Sequence, residues 1–204
     1  MFGHPKKMRH GRRGFSLMEM LVVLGIFSTV VTAATDIFML ANRAQRKIFS
    51  LERTQADARF TMEAMAREIR TGSIDYAHYG AALGDPGPVP ELALIDSAGK
   101  KILFRKSDSA ADCADAASTP CLLVSLDDGA SAAITPKGVR LFNAAFYLLP
   151  KADPTHFNPD TGVFDADVQP HVTIVLIMES VVQDPRDRSI VYLQSTVENR
   201  GYKR

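Results

Sequence analysis

Glu19 is the residue whose chemistry most needs explaining. It lies in "HGRRGFSLMEMLVVLGIF" (residues 10–27), and it is the one formally charged residue among the 20 from Phe15 to Ala34. A carboxylate in hydrocarbon costs about 2.5–3.5 kcal/mol on insertion scales, so a plain anchor would avoid it. Ionisable residues at such depth mark a function and need a cationic partner, yet no Lys or Arg lies within the segment. The alternative is a charge tolerated at the cytoplasmic rim by snorkelling.

Other chemistry-bearing residues are sparse. Cys113 and Cys121 fall in "DCADAASTPC", which reads as a short disulfide loop if the domain lies outside the cytoplasm. A zinc site would need two further ligands, and the histidine nearest by number, His78, is 35 residues from Cys113. Asp153, Asp160, Asp165 and Asp167 occupy "DPTHFNPDTGVFDAD", without the alternate oxygen ligands and closing Glu of an EF-hand. They read as a solvated loop, with calcium as the alternative. His78, His156 and His171 are far apart in sequence, and no G-x-S-x-G nucleophile motif occurs. No catalytic residue, cofactor or metal set is expected.

The elements that must position Glu19 follow from charge and period. Residues 1–14 hold Lys6, Lys7, Arg9, Arg12 and Arg13 and no acid; the other residues carry 19 cations against 23 acids, a net charge of −4. A basic stub leading directly into an apolar run orients a membrane segment, leaving the N-terminus cytoplasmic and the rest outside. It lacks the interleaved aromatics of a nucleic-acid tail, so no nucleic-acid partner is expected. Twenty helical residues rise about 30 Å, the thickness of the hydrocarbon core. Beyond Asp36, the residues Ile37, Leu40, Ala44, Ile48, Leu51, Ala58, Met62, Met65 and Ile69 keep one helical face, with Gln55 interrupting the stripe. Gly72 is placed as the C′ residue after Arg70. The spacing predicts one helix over about 16–71, with residues 50–70 packed on the protein's own sheet.

After residue 72 the period changes. "YGAALGDPGPVP" (79–90) reads as a loop, and strands are predicted over 91–96, 101–106, 122–127, 139–149, 171–180 and 189–200. "DSAGK" and "VQDPRDRS" are turns. The fold class is α+β: a long N-terminal helix, half transmembrane and half amphipathic, on an antiparallel sheet.

"RRG" followed by "FSLMEMLVVLGIF" resembles the cleavage and methylation signature of type IV pilins and type II secretion pseudopilins. The resemblance implies that prepilin peptidase cuts after Gly14, that Phe15 becomes the N-methylated first residue, and that Glu19 becomes the fifth. In that family the fifth-position Glu pairs with a free N-terminal amine, its own or that of a neighbouring subunit. This would supply the missing cation and set register. The implied organisation is a cytoplasmic leader (1–14), a transmembrane half-helix (15–35), an amphipathic half-helix (36–71) and an extracytoplasmic, pilin-like β-rich head (72–204). Implied partners are prepilin peptidase/methyltransferase, other pilin or pseudopilin subunits and an inner-membrane assembly platform. The implied location is the inner membrane, then a filament. The long β region and "LQSTVENRGYKR" resemble minor pilins and J-type minor pseudopilins. One departure is Asp36, at the mature position where many major pilins carry a proline; Gly25, Ser28, Thr29 and Thr32 would then carry any melting of the helix. Two rivals remain. Val31 and Ala33 fit a signal-peptidase cut before Ala34, freeing a soluble domain. A permanent single-pass anchor with a binding domain is the other.

Overall fold

Helix α1 runs without a break from Leu17 to Thr71. The computed structural model describes residues 14–80, 83 and 87–200. The leader cations Lys6, Lys7, Arg9, Arg12 and Arg13, together with Pro86, Lys203 and Arg204, lie outside the described residues. The chain divides into two compact units, Met1–Gln45 and Arg46–Arg204.

In the first unit every residue from 14 to 41 is exposed. By length and composition α1 can cross a membrane. Its hydroxyls are turned inward on the backbone: Ser28 donates to the Leu24 carbonyl, Thr29 to Ile26, Thr32 to Ser28 and Thr35 to Val31, at 2.7–2.9 Å. Each of these four hydroxyls is thereby satisfied within its own helix, as hydrocarbon requires. The helix continues through Gly25 and Asp36.

In the second unit α1 buries Thr54, Ala58, Thr61, Met62, Met65, Ala66 and Ile69. The predicted stripe therefore reaches the core only over its last four members, Ala58, Met62, Met65 and Ile69. Leu51 is still 37% exposed, and Ile48, Leu40 and Ile37 more so. Thr54 takes the place beside Gln55 where the apolar spacing failed, its hydroxyl donating to the Ser50 carbonyl. Fully burying Met62, Met65 and Ile69 stabilises the docked helix by about 1.5–3 kcal/mol each.

The strands are β1 (Ser73–Ile74), β2 (Glu91–Ile95), β3 (Lys101–Lys106), β4 (Leu122–Leu126), β5 (Ala132–Ala133), β6 (Val139–Leu149), β7 (Phe157–Asn158), β8 (Val163–Phe164), β9 (His171–Ser180) and β10 (Ile190–Glu198); a short helix α2 (Tyr76–Tyr79) follows β1. They form two main antiparallel sheets, β1-β2-β3-β4-β5 and β10-β9-β6, with β7-β8 as a separate hairpin. This differs from the one sheet expected. Between the sheets, Val89 bridges to Phe146, and the Leu141 N–H donates to the Pro120 carbonyl.

Strand β6 carries a bulge between Leu141 and Asn143. Before it, Val139 and Leu141 point to the core; after it, Ala144, Phe146 and Leu148 do. Side chains alternate with period two, so without the extra residue one of these sets would face solvent. The bulge puts Phe142 outside, 63% exposed. The predicted turns hold. Asp96 Oδ1 accepts from the N–H groups of Ala98 and Lys100, with Gly99 at φ +82°. Asp184 caps a 3₁₀ turn at Pro185–Asp187. That turn is tied to α1 by Arg46–Asp187 at 3.4 Å.

Gly72 follows α1 as expected, but not in a left-handed conformation. A Cβ there would lie 2.7 Å from the Ile95 carbonyl oxygen and 3.0 Å from that of Glu68. Glycine is required because β2 passes so close. The Gly72 carbonyl also accepts from Asn199 Nδ2, tying the helix end to the chain after β10.

Candidate assembly site at the start of the long helix

Gly14 and Phe15 precede α1, with Gly14 in open space and Phe15 75% exposed. Ser16 caps the helix: the Glu19 N–H donates to its Oγ at 3.2 Å, and the Met20 N–H to its carbonyl at 3.2 Å. Glu19 stands in the first turn, where a negative charge complements the helix dipole. Ser16-Leu17-Met18-Glu19 is thus the S-x-x-E spacing of a capping box, with the serine arm made. That spacing is visible in the sequence alone.

The geometry therefore offers an exposed peptide junction, Gly14–Phe15, immediately ahead of a capped helix, with a carboxylate in its first turn. Cutting that junction would create an ammonium at Phe15, four residues before Glu19 and just ahead of the helix that carries it. Everything around Glu19 in this unit is exposed and apolar: Leu17, Met18, Met20, Val22 and Val23 are all more than half exposed. Such a surface suits lipid or other helices rather than water.

Residues 9–35 match the model of the prokaryotic N-terminal methylation motif. The start of the chain is thus similar to the N-terminal segment of type IV pilins and pseudopilins. The motif implies processing by prepilin peptidase, and together with the apolar helix it supports membrane anchoring through the N-terminus. It points to a structural subunit. No curated protein and no solved structure matches the chain.

The second unit supplies no rival centre among the described residues. Cys113 and Cys121 are disulfide-bonded, with Cα atoms 5.8 Å apart. Beside the bond, the Ser107 hydroxyl accepts from the Cys121 N–H, and the carbonyl of the preceding Pro120 accepts from the Leu141 N–H, linking the two sheets. The aspartates are spread along their loop. Asp153 Oδ1 accepts from the Thr155 N–H and hydroxyl, and Asp165 pairs with His156 Nδ1 at 2.7 Å. Asp160 gives its N–H to Asn158, and Asp167 follows before β9. Among the described residues no three His, Cys, Asp or Glu side chains gather as a metal set. His78 pairs with Glu91 at 2.9 Å, and His171 lies 3.3 Å from the Gln169 carbonyl.

Two titratable groups in the second unit are shifted. Burial pushes the Tyr79 phenol up, against the opposing effect of the Ala93 N–H that it accepts at 2.6 Å. Burial also raises the Asp57 carboxyl, and Arg53 at 4.0 Å only partly offsets it.

Proposed function

We propose that this pilin-like chain is a minor subunit of a type IV pilus or type II secretion pseudopilus, assembled through α1. The observation that carries the reading is Glu19 within the methylation motif, in the first turn of an exposed apolar helix. The chain is inserted with its leader in the cytoplasm, cut after Gly14 and methylated on the Phe15 amine. The amine keeps its positive charge on methylation, so it remains a partner for Glu19. The apolar half-helix exchanges lipid for neighbouring helices when the subunit is drawn into a filament. Glu19 then accepts from an N-terminal ammonium and fixes how far one helix slides past another. Removing one member of such a pair leaves a buried charge, which costs about 3–5 kcal/mol. The head, residues 72–204, is displayed outside; the long excursions between its strands support a minor rather than a major subunit.

The test is Glu19→Ala, scored by the share of processed subunit recovered in sheared filaments. Incorporation should fall by orders of magnitude while cleavage continues. Unchanged incorporation would remove the carboxylate from assembly. Glu19→Gln should fail similarly, because an amide keeps the shape but not the charge.

A further inference from the structure

Asp36 is the second acid of the apolar stretch, and processing supplies it with no partner. Between Phe15 and Ala41 the charged residues are Glu19 and Asp36 alone. Asp36 sits on α1 between Thr35 and Ile37, and Ile37, Phe38, Met39 and Leu40 are all more than half exposed. Its neighbours on the same helical face, three and four residues away, are Thr32, Ala33, Met39 and Leu40. None is a cation, and the Thr32 hydroxyl donates to the Ser28 carbonyl instead. Two turns further on, Arg43 is exposed and has the reverse problem. Its near neighbours toward the C-terminus are Arg46 and Lys47, both of its own sign, and Arg46 is engaged by Asp187. Among the described residues neither Asp36 nor Arg43 has an ion-pair partner.

Seven residues on an α-helix turn through about 700° and rise about 10 Å, so Asp36 and Arg43 share a face but cannot touch within one chain. They meet if a second, parallel copy is displaced by that rise. We propose that Asp36 is an intersubunit register carboxylate, paired with Arg43 of a second copy of this chain displaced by two helical turns. This rests on the filament reading above and deepens it: Glu19 would set register at the cytoplasmic end and Asp36 at the outer end. The two pairs require different offsets, four residues against seven, and hence two different neighbours. The complementarity is directional: the acid lies toward the membrane in one copy, and the base lies toward the head in the other.

The experiment uses full-length chain in cells with an active prepilin peptidase. The native cysteines are already bonded to each other, so introduced ones report cleanly. Asp36→Cys combined with Arg43→Cys should give covalent multimers of this chain under mild oxidation. A within-chain bond is excluded, because the two Cα atoms are about 10 Å apart and a disulfide spans at most about 7 Å. Asp36→Cys with Gln45→Cys, which places the second thiol on the opposite face, should give none. In parallel, Asp36→Arg should lower filament incorporation about tenfold, and adding Arg43→Asp should restore most of it, since the swap keeps the pair. Multimers with rescue establish the pair. Three results overturn it while leaving the filament reading intact, provided the unmodified chain is processed and incorporated: no cross-link and no rescue, cross-linking of Asp36→Cys to Lys47→Cys in place of Arg43→Cys, or cross-linking to a different subunit. An unmodified chain that never enters filaments overturns both.

Discussion

Replacing Gly72 by alanine tests the junction between the long helix and the sheets. The added methyl would sit 2.7 Å from the Ile95 carbonyl oxygen and 3.0 Å from that of Glu68, well inside van der Waals contact. Both obstacles are backbone. The first belongs to β2, and the second accepts the Gly72 N–H at 2.8 Å, so neither can rotate aside as a side chain would. Relief requires moving the helix end away from β2, which also disturbs the Asn199 contact to the Gly72 carbonyl. Overpacking of this kind costs about 1–3 kcal/mol. For a domain of this size that lowers the melting temperature by about 2–12 °C. The assay is thermal unfolding of the full chain in detergent, followed by near-ultraviolet circular dichroism. Gly87→Ala is the control, since nothing lies within 4 Å of its added methyl and its φ is ordinary. A Gly72→Ala variant melting with the wild type would refute the close-approach account. So would an equal loss in the Gly87 variant.

Three further outcomes follow from the geometry. Ser16→Ala removes the cap and should destabilise the first turn by about 1 kcal/mol, read as faster amide exchange at Leu17–Met20 in micelles. Glu179→Ala leaves Arg140 and Arg188 without the acid that both face; with Arg140 about a third exposed, the loss should be about 2 kcal/mol in denaturant unfolding. Asp57 has a raised carboxyl pKa in the fold, so its charged form is disfavoured there. Its destabilising effect is absent at acid pH and grows as pH rises from the ordinary carboxylate range through the folded value. Asp57→Asn should therefore raise the neutral-pH melting temperature, with the gain vanishing on acidification; a gain that persists at low pH would contradict this.

Much of this architecture is legible from residue order because it rests on period. The helix end at Thr71 follows from a stripe that stops at Ile69, and the long strands β6 and β9 match their predicted limits. What escapes the reading depends on partners distant in sequence. Ser73–Ile74 is a strand only because it pairs with Leu94–Ile95. Ala132–Ala133 is one only beside Leu123–Val124. The β6 bulge was visible as a parity change between Leu141 and Ala144, yet period counting treats it as noise. The split into two sheets has no local signature. At the site, Glu19 stands out by its cost in an apolar run, whereas Ser16 looks ordinary until its N-cap geometry is seen. The stripe over Ile37–Leu51 reads as amphipathic, but Ile37, Leu40, Ile48 and Leu51 are all more than a third exposed.

The most direct test of the account is N-terminal peptide mass spectrometry on membrane-extracted protein from cells with an active prepilin peptidase. The account predicts a mature chain beginning at N-methyl-Phe15. A chain beginning at Met1 would favour a permanent anchor, and one beginning at Ala34 a secreted domain. Either would contradict the filament reading and leave Glu19 without its ammonium.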